Sequence, residues 1–108
     1  MPLVERSQVI LRHLIGDEVP ELERIIADAF TFKAPLVKAD DRIYALELFH
    51  GPTLAFKDFG ARFMARVLSA VRGNKHLTIL TATSGDTGAA VADAFFKQSG
   101  IDCGGLLS

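Results

Sequence analysis

Leu48-Phe49-His50-Gly51-Pro52-Thr53-Leu54-Ala55-Phe56-Lys57-Asp58-Phe59-Gly60 is the stretch around which the other elements of this chain arrange themselves. A short apolar run enters it at residues 43–49, the Gly51-Pro52 pair turns it, and a helical pattern leaves it over 58–72. In that pattern Phe59, Phe63, Val67 and Val71 recur every fourth residue, and Met64 and Leu68 widen the stripe, so one side of the helix is expected to face a core. At the junction stands Lys57, bracketed by Phe56 and Phe59. Burial among aromatic groups disfavours an ammonium, and a lysine that is neutral part of the time can attack a carbonyl carbon and form a Schiff base. On residue type and spacing alone, an ordinary solvated lysine at a helix start is the favoured reading, because most lysines are exposed.

Towards the N-terminus, residues 5–15 carry Val9, Ile10, Leu14 and Ile15 at helical spacings, with Ser7 as a cap and Gly16 as a stop. Residues 20–30 form a clearer helix. Pro20 suits a first helical position, Glu21 and Glu23 suit the positive end of the dipole, and Leu22, Ile25, Ile26, Ala29 and Phe30 share one face. Residues 33–42 are polar and contain a proline, which reads as a connection. The run 43–49 has the length and content of a strand covered by other layers.

Towards the C-terminus, Gly73-Asn74 ends the central helix, 77–82 reads as a second buried strand, and 89–97 reads as a helix with Val91, Ala94 and Phe95 inward. Two helices followed by strand, helix, strand and helix predict an α/β fold whose parallel strands are joined by right-handed crossovers. Two strands make an incomplete sheet, so the opening of a larger domain is expected. Three segments follow: an N-terminal helical segment at 1–42, the start of an α/β domain at 43–98, and a divergent, glycine-containing tail at 99–108.

The 108 residues suffice for one small core, and a hydrophobic content of 49% with 23% charged residues indicates a globular chain. A formal net charge of −1 gives no reason to expect nucleic acid or an anionic membrane as partner. The single cysteine, Cys103, excludes an internal disulfide, and no Cys/His cluster suggests a metal. No apolar run reaches membrane-spanning length and no charged-then-apolar leader stands at the start, so a soluble, cytoplasmic protein is expected.

A second chemical stretch, Thr83-Ser84-Gly85-Asp86-Thr87-Gly88, lies between strand and helix at the carboxyl end of the strand, where α/β proteins bind ligands. Free N–H groups, the helix dipole and three hydroxyls suit a carboxylate or phosphate, and the glycines let a ligand approach the backbone. The same residues also make an ordinary helix cap. The loop is neither a Walker A nor a G-x-G-x-x-G sequence. On one parallel sheet, both strand-to-helix connections would open at the same edge. A Schiff-base lysine would then face an anion cradle, a reasonable pocket for an amino acid bound through pyridoxal phosphate.

Residues 46–60, Leu-Glu-Leu-Phe-His-Gly-Pro-Thr-Leu-Ala-Phe-Lys-Asp-Phe-Gly, resemble the signature around the cofactor lysine of the threonine synthase family. Residues 78–90, Thr-Ile-Leu-Thr-Ala-Thr-Ser-Gly-Asp-Thr-Gly-Ala-Ala, resemble that family's next block, and looser similarity runs over 7–98. The resemblance implies the opening β-α-β-α units of a fold-type II pyridoxal 5'-phosphate enzyme. Its reaction turns O-phospho-L-homoserine and water into L-threonine and phosphate. Lys57 would hold the cofactor and afterwards move protons at the substrate's α and β carbons. Asp86 would contact the cofactor's ring hydroxyl, Thr83, Ser84 and Thr87 would grip the substrate carboxylate or phosphate, and Phe56 would pack near the ring or in the core. His50, with no partner visible in the sequence, is read as structural, and His13 and His76 belong to no visible site.

The departures from the family are equally specific. Its members are several times longer, and the glycine-rich loop for the cofactor phosphate, the partner of the pyridine nitrogen and most of a second domain have no counterpart here. The residues after Gly100 depart from the family's next strand, as after a truncation or frameshift, and an inactive fragment is expected. Two alternatives stay open: another fold-type II lyase, and a non-catalytic anion-binding or interaction module that completes its sheet against another chain.

Overall fold

The computed structural model describes residues 1–96 and 98–107. Helices α1 (Leu3–Ile15) and α2 (Leu22–Ala29) lead into strands β1 (Leu36–Asp40) and β2 (Ile43–Leu46). Then come α3 (Lys57–Val71), β3 (Leu77–Thr83), α4 (Asp86–Phe95) and β4 (Ile101–Leu107). The mixed α/β class expected from the sequence is the one observed. Lys97, expected to end the last helix, and Ser108 lie outside the described residues.

The helical periodicities translate directly into packing. In α2 the buried side chains are Leu22, Ile25, Ile26 and Ala29, four of the five positions of the expected face. Leu22, Ile25 and Ile26 pack in one cluster with Val4, Leu11 and Ile15 of α1 and Phe63 and Val67 of α3. The C-terminal carbonyls of α2, which no intrahelical N–H can reach, are taken up by α3. Arg62 donates from Nε to the Ala29 carbonyl at 2.7 Å and from Nη2 to the Asp28 carbonyl at 3.2 Å. Its guanidinium also lies 5.6 Å from the centre of the Phe32 ring.

Helix α3 serves two neighbours, which corrects the single stripe expected of it. Its phenylalanine side turns to the end of α2, where Phe59 meets Phe30 and Phe32 at ring separations of 5.8 and 4.9 Å. Its buried apolar residues are instead the small ones, Ala61 and Ala65, against Ala90, Val91, Ala94 and Phe95 of α4. Alanine on both helices lets the backbones approach closely, so side-chain size decides which neighbour lies on which side. Met64 and Val71, expected inside, are exposed. Past the end of α3, Gly73 takes φ +63°, the left-handed turn expected of a helix stop.

The strands depart most from expectation. The connection expected at 33–42 contains β1, which pairs antiparallel with β2 from Leu36↔Leu46 to Asp40↔Ile43, and the anticipated boundary at 42/43 falls in the turn of this hairpin. Every residue of β1 and β2 is exposed, so 43–49 is not a covered strand of a parallel sheet. Closing a short local loop costs little chain entropy, and Pro35 just before β1 removes no ladder hydrogen bond. The parallel sheet is built instead from β3 and β4, in register from Leu77↔Ile101 to Thr83↔Leu107. Residues 101–107, set aside above as a divergent tail, therefore form a strand on the edge of β3. Arg72 also binds this segment, donating to the Ser99 carbonyl at 2.7 Å. Helix α4 covers one face of the β3–β4 pair. The alternation along β3 leaves Leu80 79% exposed on the other.

The radius of gyration is 15.4 Å, with extents of 52 × 37 × 19 Å. A closely packed domain of this length has a radius near ~13 Å. The chain is thus a flattened layer with much apolar surface open.

Candidate functional site

The connection between β2 and α3 is a turn held from within. The Gly51 carbonyl accepts the Leu54 N–H at 3.1 Å, and Leu54 takes φ +63°, a left-handed conformation that costs a non-glycine residue about 1–2 kcal/mol. A buried carboxylate holds this turn closed. Asp58, in the first turn of α3, has no exposed surface. Its Oδ2 accepts the Thr53 N–H at 2.9 Å and its Oδ1 accepts the Thr53 hydroxyl at 2.6 Å. The carboxylate packs on Gly51 so closely that a Cβ there would stand 2.5 Å from Oδ2. Glycine at 51 is therefore required by Asp58.

Lys57 is the first residue of α3 and is half-buried. Its Nζ lies 4.6 Å from the centroid of the Phe56 ring. Phe56 is 59% exposed, so aromatic enclosure of the amine is one-sided. The contact is a cation–π one that fixes where the side chain lies. His50, for which the sequence offered no partner, has one: its Nε2 is 2.8 Å from Glu47 Oε1, and its ring lies 4.6 Å from that of Phe49.

The loop between β3 and α4 is also held by one buried side chain. Thr83 Oγ1 accepts the N–H groups of Gly85 at 3.1 Å and Gly88 at 3.2 Å. Gly85 has φ +151°, and a Cβ on Gly88 would collide with the Thr83 methyl. Helix α4 starts at Asp86, earlier than the sequence suggested. Asp86 and Thr87 are its first two residues, whose N–H groups lie too early for an intrahelical acceptor and so point to whatever lies before the helix. Ser84 and Asp86 are exposed and Thr87 half-buried. Thr83, expected to grip substrate, has its oxygen engaged within the loop and can offer a ligand only its hydroxyl hydrogen.

The two connections do not leave one parallel sheet, as the sequence suggested, because β2 pairs with β1. They meet nevertheless, since α3 packs on α4. A cleft of about 550 Å³ is lined by Leu48, Phe49, Thr53, Leu54 and Phe56 from the first connection and by Asp86 from the second. Asp86 and Phe56 are thus brought to one cleft. Lys57, Thr83, Ser84 and Thr87 do not line it, although the Lys57 amine lies against the ring of Phe56, which does. A larger apolar groove of about 860 Å³ shares Phe56 and runs along Phe30, Phe32 and Phe59. Sequence reasoning missed Asp58 and Thr53. The available signal was an acidic residue in a first helical turn five positions after a threonine that follows Gly-Pro.

Cleft and loops suit a planar, anionic cofactor. The glycine backbone at 85 leaves open space where a side chain would stand. Asp86 lies on the cleft, and the Lys57 amine lies against Phe56, another of its lining residues. Among the described residues no group of His, Cys, Asp and Glu could hold a metal ion, and no helix is long and apolar enough to cross a membrane.

No family model matches the chain. It is 64% identical over 104 residues to a threonine synthase of Haemophilus influenzae, covering 94% of this chain and 24% of that protein. It is 57% identical over 98 residues to the threonine synthase of Escherichia coli, covering 89% and 23%. Its fold superposes on the crystal structure of the Escherichia coli threonine synthase with a TM-score of 0.88 at 53% identity, over 95% of this chain and 24% of that one. On the structure of the threonine synthase from Brucella melitensis with pyridoxal phosphate bound, the TM-score is 0.85 at 39% identity, over 96% and 24%. The chain spans about a quarter of the length of the curated relatives it matches. In sequence and in fold it is related to that quarter of the threonine synthases.

Proposed function

We propose that this relative of the threonine synthases is the lysine-bearing part of an enzyme that converts O-phospho-L-homoserine and water to L-threonine and phosphate, with pyridoxal 5'-phosphate as cofactor. The observation that carries the reading is the meeting of the Lys57 turn and the 83–88 loop at one cleft, lined by Phe56 and Asp86.

When bound, the cofactor supplies an electron sink for negative charge developing on substrate carbons. The chain's own residues have distinct tasks. The Lys57 amine would hold the cofactor and would take and return protons at the substrate's α and β carbons. Phe56 positions that amine through its ring face. Asp86 would contact the cofactor's ring hydroxyl. The N–H groups of Asp86 and Thr87, with the hydroxyls of Ser84 and Thr87, which lie outside the cleft lining, would bind the substrate's carboxylate or phosphate. Thr83 shapes the loop through Gly85 and Gly88.

The groups that grip the cofactor's phosphate and pyridine nitrogen come, in this reading, from outside the 108 residues. The chain alone is therefore expected to release negligible phosphate from O-phosphohomoserine. Its setting is the cytoplasm and its ligands are small molecules. The test is to incubate the chain with pyridoxal phosphate, reduce with borohydride and map the pyridoxyl mass over Lys33, Lys38, Lys57, Lys75 and Lys97. Label concentrated on Lys57 supports the assignment, and label spread evenly or centred elsewhere refutes it.

A further inference from the structure

We propose that Asp58 and Thr53 are positioning residues: together they clamp the 51–56 turn onto the start of α3 and thereby set where the Lys57 amine is presented. The part of this inference that concerns the cofactor rests on the function proposed above. The clamp itself rests on the structure alone.

Three observations converge on it. Asp58 is a wholly buried carboxylate, and both of its oxygens accept hydrogen bonds from a single residue, Thr53. No cation pairs with it among the described residues, so those two bonds and the start of α3 hold it in place. Burying such a polar group costs free energy unless it is hydrogen-bonded, so the two bonds to Thr53 are what keep it at this position. Second, the turn it closes is strained, because Leu54 stands at φ +63° with its side chain 73% exposed and so gains little from packing there. Backbone strain of this kind persists only where the surroundings over-determine it. Third, Gly51 lies against the carboxylate with no room for a Cβ. Turn, carboxylate and helix start therefore lock as one unit, and Phe56 and Lys57 are the residues at which the turn passes into the helix. The Phe56 ring against Lys57 Nζ is the outward sign of that placement.

The pair has a chemical logic apart from charge. An amide at 58 would be the same size, accept the Thr53 N–H through its oxygen and donate through its nitrogen to the Thr53 hydroxyl. An alanine there does neither, and valine at 53 removes only the hydroxyl bond.

Solution NMR on the chain reads both halves of the proposal. In the parent chain the Thr53 amide should exchange slowly with solvent, and the Lys57 ε-methylene protons should be shifted upfield by the Phe56 ring. Asp58→Ala should speed Thr53 amide exchange at least tenfold, each factor of ten corresponding to about 1.4 kcal/mol. It should also return the Lys57 ε-methylene protons to the random-coil position. Asp58→Asn should keep both signatures, and Thr53→Val should lose part of the Lys57 shift while leaving α3 folded. Unchanged Lys57 resonances in Asp58→Ala would overturn the inference, as would Asp58→Asn behaving like Asp58→Ala. If Asp58→Ala unfolds, the comparison of Thr53→Val with Asp58→Asn decides alone. Borohydride trapping with pyridoxal phosphate on the same variants separates this inference from the proposed function. Expected NMR changes with no preference for Lys57 in the parent chain leave the clamp standing and remove the cofactor reading. Preferred labelling of Lys57 that is equal in the parent and Asp58→Ala does the reverse.

Discussion

Replacing Gly88 by alanine tests how the 83–88 loop is built, because the structure predicts that the sign of the effect depends on residue 83. Gly88 is the third residue of α4, where alanine is favoured over glycine by about 1 kcal/mol on helix propensity alone. Here the new Cβ would run into the Thr83 methyl, and Thr83 is the residue whose hydroxyl oxygen accepts from Gly85 and Gly88. Overpacking of this kind costs about 1–3 kcal/mol. If Thr83 rotates away, two hydrogen bonds worth about 0.5–1.5 kcal/mol each are also lost. Gly88→Ala should therefore destabilise the chain by roughly 2–4 kcal/mol. Thr83→Ser removes only the colliding methyl and keeps the acceptor, at a cost near ~1 kcal/mol for one buried methyl group. On that background Gly88→Ala should be neutral or stabilising. Urea unfolding of the four proteins, followed by circular dichroism, gives the cycle. With a slope near ~1 kcal/mol per molar for a chain of this size, the midpoints should differ by about 2 M or more. Equal cost of Gly88→Ala on both backgrounds would show that Thr83 and Gly88 are not in contact and that the loop is held some other way.

Other substitutions probe the packing. Ile26→Ala, at a side chain with no exposed surface, should cost about 2–5 kcal/mol, whereas Ile10→Ala at a 58% exposed site should fall within about 0.5 kcal/mol; thermal melts distinguish the two. Arg62→Lys keeps the charge but loses the fork that reaches the Asp28 and Ala29 carbonyls together, so it should lower stability by about 1–2 kcal/mol in urea. Glu21 sits against Arg24, whose hydrogen bond and charge hold its carboxyl below the ordinary value of 4.5. A carboxyl lowered on folding contributes above its unfolded value and loses that contribution as pH falls through the folded one. Because Glu21 is open to solvent, the effect is read as a titration, and Arg24→Ala should bring the Glu21 carboxyl carbon's NMR midpoint back up.

Helices were legible in the sequence because their apolar period is local. The faces of α2 and α4 came through nearly residue by residue. Strand partners were not, because composition reports whether a segment is extended and not what lies beside it. The apolar run at 43–49 suggested burial, yet its nearest available partner was the alternating stretch Leu36-Val37-Lys38-Ala39-Asp40, which Pro35 and the flanking charges disguised as a connection. The glycine-poor rule for strands misled in the same way at 101–107, where backbone pairing with β3 suffices. In the site, the two motif loops stood out in the sequence as candidate chemistry, Lys57 and Phe56 in the first and Asp86 in the second. The roles of Thr83 and Asp58 depend on which groups fold back onto them, and no spacing rule encodes that.

The two connections share a physical principle that neither shows alone. In each, one buried side chain beside a helix start accepts two hydrogens from the adjoining backbone or hydroxyl: Asp58 from Thr53, and Thr83 from Gly85 and Gly88. In each, a glycine stands where any Cβ would strike that acceptor, Gly51 against Asp58 and Gly88 against Thr83. Both loops bordering the cleft are thereby ordered by folding itself, so a ligand arriving there need not freeze them and loses less affinity to ordering entropy. The hairpin of β1 and β2 and the open face of β3 have no such locks and leave Leu36, Ile43, Leu46 and Leu80 exposed. The two buried acceptors, Asp58 and Thr83, thus stand in the two connections that border the cleft.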